Sequence, residues 1–240
     1  MVRVLVTGAG GGLGLGAARE LAADGHTVVG HVRRLDRAGE LRAAIGDDAD
    51  ILAAELSDPD QVRALADGVN ALGGVGAVIH NAGVLDGPEL LPVNVVAPYL
   101  LTALVPAARL VYLSSGMHRG GRARLDGMDW SGGRVTASYS DSKLFVTALA
   151  GAVPRLRAGV FSNAVDPGWV PTRMGGRHAP DDLELGHRTQ VWLAEGEDPE
   201  TRTSAYWHHQ RTQRPHPAAA DPVFQDAVVA ALRAHTGVGL

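Results

Sequence analysis

Apolar positions along this 240-residue chain change period as the sequence is followed. Val2 to Val6 is a short run interrupted only by Arg3, the pattern of a strand. From Leu13 the interval lengthens, and Leu13, Ala17, Ala18 and Leu21 recur at helical spacing. Continued, the alternation predicts strands over 2–7, 27–32, 50–54, 76–80, 109–114 and 160–166, with a last one near 204–208. Helices are predicted over 13–24, 58–72, 91–105, 137–152, 183–194 and 221–235. Strands that alternate with helices imply right-handed crossovers and a parallel sheet covered on both faces, a doubly wound α/β fold. No repeat or low-complexity tract interrupts it, so one domain over 1–240 is expected.

One stretch departs from ordinary alternation. Leu90 to Ala108 runs nineteen residues without a charge, nearly the length of a membrane span. Pro92, Pro98 and Pro106 lie inside it with the polar Asn94, and there is no second such stretch. A helix buried against the sheet or in a subunit contact is the better reading.

Composition narrows the function classes. Apolar residues make up 45% and charged residues 20%, ordinary globular values. A net charge of −4 gives no reason to expect nucleic acid or an anionic membrane as partner. With no cysteine there is no disulfide, thiolate nucleophile or thiolate metal site. The first strand begins at residue 2, leaving no room for a cleaved signal peptide, and a cytoplasmic protein is expected. The adjoining His208 and His209 fall on a predicted strand, where neighbours point to opposite faces, so no metal site is expected.

Two local patterns carry chemistry. Strand, glycine-rich turn (Thr7 to Gly16, TGAGGGLGLG) and helix form the context of a dinucleotide fingerprint. Glycine allows the turn and lets the backbone approach a pyrophosphate at the helix N-terminus. Further on, Tyr139 and Lys143 stand four residues apart, on one face of a helix. An ammonium about 4 Å from the phenol, at an effective dielectric of about 20, favours the phenolate by about 4 kcal/mol. That is about three pKa units, enough to make a phenol a general acid or base near neutrality.

TGAGGGLG, HNAG at 80–83, Asn94, the LSS run ending at Ser115, YSDSK at 139–143 and DPGWVPT at 166–172 occur in the order found in the short-chain dehydrogenase/reductase superfamily, which the chain resembles from residue 2 to about 172. The resemblance implies a Rossmann domain of about seven strands, with a small substrate-binding lobe within about 169–205. It implies that Thr7, Gly8, Gly12, Leu13 and Gly14 hold the cofactor phosphates and that Glu55 and Leu56 lie near the adenine. Asn81, Ala82 and Gly83 would border the cofactor at the end of the fourth strand. Pro167, Gly168, Val170 and Thr172 would close over the nicotinamide. Tyr139 would exchange a proton with the substrate oxygen, with Lys143 stabilising the phenolate and holding the nicotinamide ribose. Ser115 would hydrogen-bond the substrate oxygen, and Asn94 would anchor a water linking Lys143 to solvent.

Arg33 and Arg34 end the second strand, and Val32 stands where NAD-type members of the family carry Asp. Arginine can grip a 2′-phosphate bidentately, which favours NADP(H) over NAD(H). Asp36, the nearby acid, reads as a helix N-cap. The interval from Ser115 to Tyr139 exceeds the commonest family pattern and resembles the retinol-dehydrogenase-like and protochlorophyllide-reductase-like branch. Trp130, Trp169 and Met174 would then line an apolar substrate pocket. Between Gly83 and Asn94 the chain is shorter than that branch usually is. The expected activity is hydride transfer between nicotinamide and a small-molecule carbonyl or alcohol. The alternative is a catalytically idle NADP(H) sensor or partner-binding protein, with homodimer or homotetramer left open.

Overall fold

The computed structural model describes residues 1–196 and 198–240. Eight strands form one sheet: β1 Arg3–Val6, β2 Thr27–Val32, β3 Asp50–Ala53, β4 Ala77–His80, β5 Arg109–Leu113, β6 Phe161–Asp166, β7 Tyr206–His208 and β8 Arg211–Gln213. Their order is β3-β2-β1-β4-β5-β6-β7-β8, and only β8 is antiparallel. The order reverses between β1 and β4, which opens a crevice at the carboxyl edge where such folds bind ligands.

Alternation within each strand divides the core in two. Val4 and Val6 face one layer, covered by α1 (Gly12–Ala23), α2 (Gly39–Ile45) and α6 (Leu183–Glu195). Leu5 faces the other, with α3 (Pro59–Ala71), α4 (Ala97–Leu104), α5 (Tyr139–Leu156) and α8 (Pro222–Thr236). α7 (Pro217–Ala220) joins α5 and α8.

The uncharged stretch is covered by its own chain. Leu90 through Thr102 is buried, α3 packs on α4, and Tyr99 Oη donates to Val238 O at 2.6 Å. Among the described residues no helix is long and apolar enough to cross a membrane.

Several expectations are corrected. The helix expected over 91–105 forms but is not regular throughout: a π-helical turn at Pro92–Val96, with Ala97 N–H reaching Pro92 O, precedes regular α4. Asp36 caps no helix; it lies in a short 3-10 turn, Leu35–Arg37, and pairs with Arg34 at 2.8 Å. His208 and His209 do not point apart, because the strand ends at His208. His209 (φ 47°) and Gln210 (φ 59°) form a tight hairpin turn, and the two histidine rings stack 3.9 Å apart. β8 and α2 were not foreseen; both are short.

His80, in the middle strand, is fully enclosed. Its ring stacks on Tyr112 at 4.5 Å and its Nε2 lies 3.3 Å from Thr102 Oγ1. Burial lowers its pKa from 6.5 to about 3. Between those values the unfolded chain binds a proton that the folded chain refuses, so stability present above 6.5 is lost as pH falls towards 3. We expect His80→Asn to flatten the decline of urea-derived stability between about pH 6 and about pH 4, by about 1.4 kcal/mol per pH unit. Equal slopes in the two proteins would reject this account.

Candidate active site

The crevice is built by a side-chain clamp between β1 and β4. Thr7 Oγ1 accepts the backbone N–H groups of Asn81 and Ala82 at 3.0 and 3.1 Å. Asn81 Nδ2 returns to the carbonyls of Thr7 (2.9 Å) and Gly8 (3.3 Å). α1 enters so close to this knot that a Cβ on Gly14 would lie 2.4 Å from Asn81 Nδ2 and from Gly8 O. Gly12 has φ +53°, and a Cβ there would meet Thr172 Cγ2 at 3.1 Å. The glycine turn therefore meets the strand end and the 167–182 segment together. Leu13 contributes differently, packing towards Gly186 of α6.

The structure adds His31 to this corner. Its Nδ1 accepts the Gly8 N–H at 3.1 Å, so its Nε2 carries the proton and donates to Ala54 O at 3.0 Å. Burial lowers its pKa, which keeps that tautomer neutral. A lone histidine inside the apolar run VVGHV was the available signal.

At the end of β2, Arg33 is largely exposed and its Nη1 stands 3.5 Å from Glu55 Oε2. Val32 is buried. Leu56 turns inward, into a cavity of about 130 Å³ bounded by Pro92, Val96, Leu100 and Trp130. Trp130 is also packed on Phe145, ring centroids 5.8 Å apart. It is a core anchor, which corrects its placement in a substrate pocket.

α5 begins where Ser138 caps it. Ser138 Oγ accepts from Asp141 N, and Asp141 Oδ2 accepts from Ser138 N, a closed capping box. Arg122 donates to Asp141 as well, at 2.8 Å. Burial raises the Asp141 pKa, but the bonds from Arg122 and Ser138 outweigh it and hold the carboxyl at about 2. The box sets Tyr139 as the first helical residue and Lys143 one turn deeper.

Lys143 is 4% exposed. Its Nζ donates to Leu113 O at 2.7 Å and lies 5.5 Å from the Tyr139 ring centroid. Burial lowers its pKa to about 8. The Tyr139 phenol moves opposite to expectation: burial raises it to about 12, a contact with Ser115 opposes, and the Asp166 carboxylate adds to the rise. The lysine is bound to a carbonyl and faces the ring rather than the hydroxyl, so desolvation wins.

Ser115 ends the β5 loop, and its Oγ accepts from Met117 N at 3.2 Å, leaving its O–H to donate. Its carbonyl accepts from His118 Nδ1 at 2.7 Å, and His118 Nε2 accepts His216 N–H at 2.9 Å. This fully buried histidine ties the serine turn to the C-terminal hairpin. Asn94 is committed to structure: Oδ1 accepts Val84 N–H (2.8 Å), and Nδ2 donates to Val84 O (2.9 Å) and Ser142 Oγ (3.0 Å). Gly83 lies between Asn94 and Lys143, where a Cβ would stand 3.3 Å from Asn94 Oδ1 and 3.5 Å from Lys143 Nζ.

Pro167, Gly168, Val170 and Thr172 follow β6; a Cβ on Gly186 of α6 would meet Val170 Cγ1 at 2.9 Å and Pro167 O at 3.1 Å, while one on Gly168 would meet Asp181 Oδ2. Met174 reaches the phenol: Tyr139 Oη donates to its sulfur at 3.9 Å. Trp169 is 60% exposed and its Nε1 donates to Gly175 O. Asp166, the acid that opens DPGWVPT, was passed over in the sequence; its signal was an ionisable residue next to the Pro-Gly turn. Among the described residues no group of three or more His, Asp or Glu is placed to hold a metal.

Comparison with known proteins completes the picture. The family model described as short chain dehydrogenase matches residues 2–105. Short-chain dehydrogenase chry4 of Gibberella zeae is 36% identical over 256 residues, covering 100% of this chain and 99% of its own. Short-chain dehydrogenase chyC of Penicillium rubens is 35% identical with the same coverage. An uncharacterised protein from Mycobacterium paratuberculosis superposes with a TM-score of 0.83 at 24% identity, over 100% of this chain and 94% of that one. A short chain dehydrogenase from Burkholderia cenocepacia, solved in complex with NADP, superposes with a TM-score of 0.70 at 22% identity, over 86% and 95%. Full-length likeness to named short-chain dehydrogenases, on an eight-stranded doubly wound sheet, makes this chain a member of the short-chain dehydrogenase/reductase superfamily of oxidoreductases.

Proposed function

We propose that the protein is an NADP(H)-dependent carbonyl reductase or alcohol dehydrogenase with Tyr139 as its general acid and base. The carrying observation is that the capped start of α5 presents the Tyr139 phenol and the buried Lys143 ammonium together, with Ser115 in contact with the phenol. When bound, the nicotinamide cofactor supplies or accepts the hydride. Residues present fit it: the glycine turn exposes Gly11 and Gly12, with nothing within 4 Å of a Cβ built on Gly11.

In reduction, Tyr139 Oη gives its proton to the carbonyl oxygen while Ser115 O–H donates to the same atom. A phenol at about 12 is fully protonated at neutral pH, hence loaded as an acid. Lys143 stabilises the phenolate that remains, an anion otherwise costly in so enclosed a place. Met174 moves aside as the substrate oxygen takes its position beside the phenol. The segment around 169–205 acts as the substrate-binding lobe, with Trp169 and Met174 lining it.

Arg33 carries the cofactor preference. Its contact with Glu55 is a surface pair, worth little, so the guanidinium is available to a 2′-phosphate. The structure of the Burkholderia relative with NADP supports that choice.

Tyr139→Phe should lower NADPH consumption with aldehydes, ketones and quinones by at least about a hundredfold. Equal rates for the two proteins would sink the reductase reading and leave the idle sensor. Arg33→Ala should weaken NADPH binding about tenfold while barely changing NADH, measured by quenching titration; equal losses reject the phosphate grip. Burying Lys143 carries a stability cost. Its folded pKa is about 8 against an ordinary 10.5, so the stability of its neutral form, present above 10.5, is lost as pH falls through 8. Lys143→Met should therefore raise stability at neutral pH by about 1–2 kcal/mol while abolishing turnover, with the gain shrinking above about pH 8. A fall in urea midpoint would contradict this.

A further inference from the structure

Asp166 is a carboxylate beside the proposed catalytic corner that the proposed mechanism does not use. Residues of β6 alternate between the two core layers: Val165 faces the α1–α6 layer and Ala164 the α5 layer. Asp166 thus points to the α5 side, at the carboxyl edge beside Tyr139. Its two oxygens differ. Oδ1 accepts the Gly168 N–H at 3.1 Å and fixes the Pro-Gly turn. Oδ2 lies 2.9 Å from where a Cβ on Gly116 would stand, directly after Ser115, and His208 Nδ1, which also bonds the Asp166 carbonyl at 3.1 Å, stands 3.9 Å from it. Only a residue without a side chain at 116 leaves that oxygen its place.

The remaining walls are polar. Tyr206 is 3% exposed, its Oη makes no hydrogen bond, and its ring lies under the Arg119 guanidinium at 5.2 Å and against His118 at 4.6 Å. Arg119 Nη2 is taken by Gln213 and Arg214 O while its Nη1 stands 3.7 Å from the Gly116 Cβ position, and His118 is taken by Ser115 O and His216 N. Among the described residues Oδ2 has the loose pair with His208 and no closer hydrogen bond. A carboxylate oxygen so loosely paired, beside the oxygen that gains negative charge in carbonyl reduction, would oppose the reaction. A hydrogen-bond donor on the substrate removes that opposition and gains a charge-assisted bond.

We propose that Asp166 is a specificity-determining residue whose Oδ2 accepts a hydrogen bond from a hydroxyl on the carbon next to the reacting carbonyl, so that the substrates are α-hydroxy ketones and their vicinal diols. This rests on the reductase reading above and adds the substrate class to it. Asp166 binds and selects; the proton still comes from Tyr139.

The test uses isosteric pairs in which only the donor changes: hydroxyacetone against butanone, and α-hydroxyacetophenone against propiophenone. Wild type should favour the hydroxy ketone in kcat/KM by at least about tenfold in one pair, the worth of a hydrogen bond to a charged group. Asp166→Ala should bring that ratio near one. Asp166→Asn keeps the acceptor for Gly168 N–H but puts an amide donor where Oδ2 was, so its ratio should fall below that of Asp166→Ala. Ratios are internal to each protein, so a partly folded variant lowers both rates and leaves them unchanged. A carboxylate that only fixed the turn would give one ratio in all three proteins, and that result overturns the proposal. Binding of the same pairs to Tyr139→Phe, with and without Asp166→Ala, separates it from the reductase reading. If no carbonyl is turned over yet binding discriminates through Asp166, the site reading stands and the reductase reading fails. If neither turnover nor binding discriminates, the proposal falls.

Discussion

Thr7 and Asn81 form the knot on which the rest of the site depends. Two parallel strands whose connections leave in opposite directions must diverge at their carboxyl ends, and nothing in the backbone ladder holds them beyond that point. Here one threonine hydroxyl takes two N–H groups of the neighbouring strand end, and one asparagine amide returns to two carbonyls of the glycine turn. The backbone groups that a crevice would leave unpaired are thereby satisfied. α1 then packs against the knot so closely that Gly14 can carry no side chain. Through Gly83 the same strand end abuts Asn94 and Lys143, so the glycine turn and the start of α5 share one corner.

Charge in that corner is balanced against burial rather than distributed for stability. An ammonium enclosed on α5 is held by a single carbonyl, and a carboxylate from β6 faces the same phenol. Enclosing the ammonium disfavours its charged form, and both placements accord with the proposed reductase reading. The capping box under Tyr139 anchors it: Ser138, Asp141 and Arg122 fix the first turn of the helix that carries Tyr139 and Lys143.

The C-terminal region serves the same end from the other side. α8 packs along α5, Arg155 bonds Gln225 and Asp226, and Tyr99 reaches Val238. The long uncharged stretch, which the sequence left to the core or to a subunit contact, is thus covered by its own chain. His118 joins the serine turn to His216 just before α7, and Arg119 bonds Gln213 of β8, so the 115–120 turn is tied to the chain that follows β7.

Sequence by itself determined the alternating α/β order, the strand–glycine–helix start and the tyrosine–lysine pair, because each rests on local spacing that the backbone period converts directly into geometry. It could not decide quantities that depend on what packs against a residue from far along the chain. Tyr139 was expected to be lowered by Lys143 four residues away, yet it is raised, because enclosure and a carboxylate from β6 outweigh an ammonium bound to Leu113. Trp130 was expected near substrate and became a core anchor on Phe145. The π turn at Asn94, the stacked His208 and His209, and His31 beneath Gly8 belong to the same class. Local propensity specifies elements; burial and long-range charge specify what the side chains on them do, and those exist only once the chain has closed on itself.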